Sequence, residues 1–260
     1  MYFIDTHTHL YASEFDLDRD VVIENGLANN VKQFLLPNID VSSLEILTKL
    51  TQKYPENCFA MAGLHPCSVN ETWISDLAQI KLFFNDKRII AIGEIGIDLY
   101  WDKTFLKEQV QAFETQIEWA KQLKLPIVIH ARNSFDEIFE VIERHNDESL
   151  TGVFHCFSGS VEHAQQIIRF QGFKLGIGGV VTYKNSGLDS VLKAVPLKEL
   201  ILETDSPYLA PAPFRGKRNE SAYLTYIAEK ISSLYEVPIQ EVATVTSQSA
   251  RELFNLTRYE

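Results

Sequence analysis

The sequence predicts an α/β fold, a (β/α)8 TIM barrel, on three observations. Eight short apolar, β-branched runs recur along the chain, amphipathic helical stretches separate them, and histidines and carboxylates gather where the runs end. A barrel needs eight such units and places its polar chemistry at the carboxyl ends of its strands. An open doubly wound sheet alternates in the same way, but no Gly-x-Gly-x-x-Gly follows the first run. The length of 260 residues fits one large domain or two small ones, and the lack of a Pro/Gly-rich linker favours one domain over 1–260.

The predicted strands are 2–5, 33–37, 58–63, 89–93, 127–130, 152–155, 173–178 and 200–203. Most are continuously apolar, as parallel strands buried on both faces must be. The clearest helix is 105–123, where Val110, Phe113, Ile117 and Ala120 share one side and Lys107, Glu108, Glu114 and Glu118 the other. A second, 135–144, sets Phe135, Ile138, Phe139 and Ile142 against acidic positions. These stripes are core faces. Two further helices, 222–235 and 239–254, are parted by Pro238 and are expected to close the bottom or side of the barrel.

The formal net charge of −11 argues against a nucleic-acid partner bound through a broad basic face. That exclusion is partial, because cations held by acidic ligands invert the local field. Cys58, Cys67 and Cys156 are odd in number and lack CxxC spacing, which argues against a disulfide framework and a zinc knuckle. Apolar runs fall far short of the roughly 20 residues of a membrane helix, and Met1 leads into a strand without a signal-peptide pattern. A cytoplasmic protein, monomeric and without a membrane partner, is expected.

The chemistry collects at the strand ends. The first run ends in His7 and His9, the third leads to His65, the fourth to Glu94, the fifth to His130, the sixth to His155 and the eighth to Glu203 and Asp205. Side chains two apart on a strand point the same way, so His7 and His9 can present two imidazoles to one point. Each histidine alone could be structural; five of the chain's seven at strand ends is a pattern. Four imidazoles and two carboxylates exceed what one catalytic ion takes and suit two divalent ions, with the imidazoles favouring Zn2+, Fe2+, Mn2+ or Ni2+ and Mg2+ remaining open. Glu94 is the natural bridge, with His7, His9 and Asp205 on one ion and His130 and His155 on the other. The expected catalytic carboxylates are Glu94, Glu203 and Asp205, the last also placed to deprotonate the attacking water.

These residues lie in longer motifs: Asp5-Thr6-His7-Thr8-His9-Leu10, Gly63-Leu64-His65-Pro66, Ala91-Ile92-Gly93-Glu94-Ile95-Gly96-Ile97-Asp98, Ile129-His130-Ala131-Arg132, His155-Cys156-Phe157-Ser158-Gly159 and Leu202-Glu203-Thr204-Asp205-Ser206-Pro207-Tyr208-Leu209. In this order, and spanning nearly the whole chain, they resemble the TatD family of metal-dependent deoxyribonucleases within the amidohydrolase-type barrel superfamily. The resemblance implies a barrel, divalent-metal dependence and hydrolysis of DNA phosphodiester bonds, often from a 3′ end. Glu94 stands where the wider superfamily often has a modified lysine. Ser221 departs from the pattern, since the family usually has proline there, and this lowers the expected stiffness of the loop before it.

That loop holds the one dense basic cluster, Arg215, Lys217 and Arg218, next to Phe214, whose ring could stack on a base. Tyr100 and Trp101 are placed for the same task after the fourth strand, Arg132 is expected to meet a phosphate, and His65 to meet substrate or brace the metal ligands. The substrate so described is DNA, single-stranded or at a 3′ end. Two rivals remain open: hydrolysis of another ester or amide, such as an aminoacyl-tRNA linkage, and nucleic-acid binding without cleavage.

Overall fold

The computed structural model describes residues 1–86 and 88–256. All eight predicted strands form, as β1 (Phe3–Asp5), β2 (Val31–Pro37), β3 (Cys58–Ala62), β4 (Ile89–Asp98), β5 (Ile127–Arg132), β6 (Gly152–Phe154), β7 (Phe173–Ile177) and β8 (Leu200–Leu202). They pair in parallel and in sequence order within one sheet. Beyond the last strand the sheet comes round to the first. Thr6 N–H donates to Leu202 O at 3.0 Å, Asp205 N–H to His7 O at 2.9 Å and His9 N–H to Ser206 O at 2.7 Å, so the segments after β1 and β8 seal the barrel. The Asp5 carboxylate, fully buried, accepts from Thr204 N–H and Oγ1 across the same seam.

Helices cover the outside: α1 (Arg19–Ala28), α2 (Leu44–Lys53), α3 (Trp73–Lys81), α4 (Leu106–Leu123), α5 (Phe135–His145), α6 (Val161–Arg169), α7 (Leu188–Lys193), α8 (Leu224–Tyr235) and α9 (Ile239–Phe254). The stripes read from sequence face inward: Phe113, Ile117 and Ala120 of α4 and Ile138 and Ile142 of α5 are buried in the layer between helices and sheet. The two carboxyl-terminal helices divide their work. Leu224, Ile227 and Ile231 of α8 join that outer layer, whereas Ala250 and Phe254 of α9 join the inward-facing Ile4, Leu35, Met61, Ile90, Val128, Val153 and Ile201. Hydroxyls of Ser247 and Ser249 donate to the carbonyls of Tyr2 and Lys198, just ahead of β1 and β8. Helix α9 therefore seals the amino ends of the strands.

Strand β4 differs most from expectation. β4 runs five residues past the predicted end, through Glu94 to Asp98, because it continues pairing with β5 after a register shift between Ile92 and Ile95. Gly96 makes this possible: its φ is +138°, and a Cβ there would lie 2.1 Å from His130 O. His7 and His9, in contrast, lie beyond the end of β1, in a bent segment joined to the β8 side by the Thr8–Ser206 bridge.

Candidate metal centre

Glu94 stands mid-strand on β4, almost fully buried, with its two carboxylate oxygens facing different sets of imidazoles. Oε2 lies 3.1 Å from His7 Nε2 and 4.0 Å from His9 Nε2, while Asp205 Oδ1 lies 3.4 Å from His9 Nε2 and 3.8 Å from His7 Nε2. Oε1 lies 2.8 Å from His130 Nδ1, 2.8 Å from His155 Nε2 and 3.2 Å from His65 Nε2. Residues 7 to 205 thus converge on one carboxylate.

Electrostatics bind the cluster. Burial alone would raise the Glu94 carboxyl, but His155, His65 and His7 hold it well below the usual range. Burial likewise opposes charge on His155, yet Glu94 and Glu203 raise it well above an ordinary histidine. His7 and His65 go the other way, lowered by burial.

The donor set fits a divalent cation. His7 Nδ1, His155 Nδ1 and Glu203 Oε2 are buried without a hydrogen-bond partner, each an unmet polar group of the kind that costs about 1–3 kcal/mol. Atoms of His7, His9 and Glu94 come within 4.8 Å of one another, as do those of His7, His155 and Glu203 and those of His65, Glu94 and His130. Imidazole and carboxylate donors so gathered can hold metal ions.

Above this floor opens a cavity of about 650 Å3 lined by His9, His65, Glu94, His130, His155 and Asp205, with Trp101, Arg132, Tyr208 and Leu209 among its walls. Arg132, two residues past His130 on β5, lays its guanidinium 3.8 Å from the centre of the Tyr100 ring and 5.4 Å from that of Trp101. Both rings are exposed, Trp101 by 72%. Cys156, Asp205 and Leu209 on the cavity wall adopt positive φ, whereas the other six such non-glycine residues among those described stand within two residues of a helix end. Left-handed backbone away from helix ends is conformational strain concentrated at the mouth.

Several expected residues are placed elsewhere. Glu203 is fully buried beneath His155, 3.6 Å from its Nδ1, and its Oε1 accepts from Cys156 N–H. It has no surface in the cavity, so it cannot meet a substrate. Gly176 leaves it room, since a Cβ there would lie 2.4 Å from Oε2. Arg218 pairs bidentately with Asp18 at 2.7 and 2.8 Å, reaches Glu220 and lies over the Phe15 ring. Phe214 stacks on Tyr223 with ring centres 4.1 Å apart. Neither lines the cavity. Arg215 lies over the Tyr183 ring, and both it and Lys217 are exposed. The loop is anchored at its end, ahead of Ser221, where Asn219 Nδ2 donates to the carbonyls of Thr204 and Tyr208.

Sequence reasoning missed Asp98 and the rim residues Tyr208 and Leu209. Asp98 Oδ2 lies 2.8 Å from His130 Nε2, and it stands four residues past Glu94, an even spacing that puts both on one face of a continuing strand.

Residues 4–255 match the model of the TatD related DNase family. The chain belongs to the TatD family. It is 37% identical over 253 residues to a Bacillus subtilis protein named as the uncharacterized metal-dependent hydrolase YabD, covering 97% of this chain and 98% of that one. It is 32% identical over 258 residues to the 3′-5′ ssDNA/RNA exonuclease TatD of Salmonella typhimurium, covering 97% and 98%. The crystal structure of YjjV, a TatD homologue from Escherichia coli, superposes with a TM-score of 0.91 at 28% identity, covering 97% and 98%. This TatD chain is therefore a metal-dependent hydrolase of nuclease type with a TIM-barrel fold. Among its described residues no helix is long and apolar enough to cross a membrane.

Proposed function

We propose that the protein hydrolyses phosphodiester bonds of single-stranded DNA from the 3′ end, using two divalent cations, Mg2+, Mn2+ or Zn2+. The observation that carries this reading is the division of Glu94 between two groups of imidazoles, one per oxygen. His7, His9, Asp205 and Glu94 Oε2 would hold one ion; His130, His155 and Glu94 Oε1 the other. Bound divalent cations supply Lewis-acid stabilisation of phosphoryl oxygens and make water a better nucleophile at neutral pH.

The chain's own residues do the positioning. Asp205 lines the cavity, and its carboxylate takes the proton of the attacking water. His65 Nδ1 accepts from Cys67 N–H at 3.0 Å, so Nε2 carries the hydrogen. That nitrogen is a donor and suits a phosphate oxygen rather than a cation. Arg132 offsets phosphate charge, and Tyr100 and Trp101 offer faces for an unpaired base. Arg215 and Lys217 extend this positive rim for the strand beyond. Glu203 orients His155. The 3′-5′ ssDNA/RNA exonuclease of Salmonella typhimurium, 32% identical to this chain, supports the choice of single-stranded nucleic acid.

The test is digestion of 3′- and 5′-labelled single-stranded oligonucleotides with added Mg2+ or Mn2+. Glu94→Ala and Asp205→Asn should each lower the rate by more than about 10³-fold, since even one lost oxyanion donor costs about 10² to 10³. Wild-type-like cleavage in either variant, or faster turnover of an ester panel than of DNA, overturns the reading.

A further inference from the structure

The ring of His130 is held at both ends. Nδ1 meets Glu94 Oε1 and Nε2 meets Asp98 Oδ2, each at 2.8 Å. The other oxygen of Asp98 accepts from the backbone N–H groups of Tyr100, at 2.9 Å, and Trp101, at 3.4 Å. Asp98 is itself buried, and its backbone is fixed by Gln109, whose Oε1 accepts from Asp98 N–H at 2.9 Å.

We propose that Asp98 is a positioning residue: it fixes the ring and tautomer of His130 for cation binding and, through its second oxygen, sets the aromatic turn at the cavity rim. An imidazole binds a cation through one unprotonated nitrogen, and the partner of the other nitrogen decides which is free. The ionised carboxylate only accepts, so it keeps the hydrogen on Nε2 and leaves Nδ1 facing the position beside Glu94. Glu203 does the corresponding work for His155, from the Nδ1 side. Asp98 differs in its second attachment. The turn it caps carries Tyr100, over which Arg132 lies, and Arg132 follows His130 on the same strand. One carboxylate thereby ties the proposed cation ligand to the proposed nucleic-acid rim.

The inference rests on the cation-binding half of the proposed function, so its decisive readout involves no substrate. Asp98→Asn replaces atoms one for one. The two backbone N–H groups keep the amide oxygen on their side and turn the NH2 toward Nε2, which must then accept, so the hydrogen moves to Nδ1. In a cobalt(II) titration, Asp98→Asn should weaken binding at one site about 10- to 100-fold and change the visible absorption bands. His130→Ala should show the same loss, and the double variant no more than His130→Ala alone. With a single-stranded oligonucleotide, Asp98→Asn should lower kcat at nearly constant KM, whereas Asp98→Ala, which also frees the turn, should raise KM.

Wild-type cobalt affinity in Asp98→Asn, or an equal further loss in the His130→Ala background, overturns the proposal. So does an Asp98→Asn chain that fails to fold, since that assigns the side chain to the fold. A wild-type protein that binds cobalt in this way but cuts no oligonucleotide refutes the nuclease reading and leaves Asp98 decided by the titration.

Discussion

The two ends of the barrel are built from the same eight strands and obey opposite rules. At the amino ends, Ile4, Leu35, Met61, Val128, Val153 and Ile201 meet Phe254 and Leu256 in an apolar plug without exposed surface to speak of. At the carboxyl ends, five imidazoles and three carboxylates crowd together at Glu94, Asp98 and Asp205, and buried ring nitrogens of His7 and His155 go unbonded. Close packing stabilises the first region; the second holds polar groups that a bound cation would satisfy. Stability and chemistry are thus separated along one barrel axis.

The sharpest way to break this comparison is to damage the plug. Phe254 is fully buried on α9 against the inward-facing residues of the strands. Phe254→Ala should destabilise the protein by roughly 3–5 kcal/mol through lost burial and the cavity left behind. Urea titration measures this. At a temperature where the variant stays folded, its oligonucleotide kcat should match wild type; a kcat that falls with stability would show the two ends to be coupled.

Cation removal tests the other end with a smaller expected effect. Saturation at a hundredfold excess over Kd stabilises by about 2.7 kcal/mol, so chelation should lower Tm by roughly 5–10 °C in a chain of this size. The effect has a pH sign. The raised pKa of His155 means that its contacts with Glu94 and Glu203 favour the cation-free fold most below an ordinary histidine's pKa, and that this contribution is lost as pH rises through the folded value. Cations must displace that proton. The Tm gained on adding metal should therefore grow from pH 5.5 to pH 8, within a range of about three units around the histidine value; a gain that shrinks would contradict the ligand set.

The sequence made one end more legible than the other for physical reasons. Apolar runs announced every strand, and the spacing of Phe113, Ile117 and Ala120 announced α4, because burial leaves a periodic trace. Histidines at strand ends likewise announced the centre. What stayed hidden were pairings. The extension of β4 depends on a register shift and on the unusual φ of Gly96, neither of which shows in residue type. Arg218 looked like a free cation because its partner, Asp18, lies 200 residues earlier in the chain. Glu203 looked catalytic by identity, and only its full burial shows that it stands behind His155 rather than in the cavity.

The finest test compares those two arginines. Arg132 is exposed at the cavity wall, so its truncation removes a phosphate contact; Arg218 spends its guanidinium on Asp18 and Glu220. Arg132→Ala should raise KM for an oligonucleotide about tenfold and lower the slope of log affinity against log salt by about one. Arg218→Ala should leave KM within about twofold and lower stability only modestly, because its ion pair with Asp18 is exposed and screened. The two effects separate charge that faces the substrate from charge that ties the loop to α1. If Arg218→Ala proves the stronger in KM, the guanidinium must leave Asp18 when nucleic acid binds, and the rim extends across the whole loop from Phe214 to Asn219.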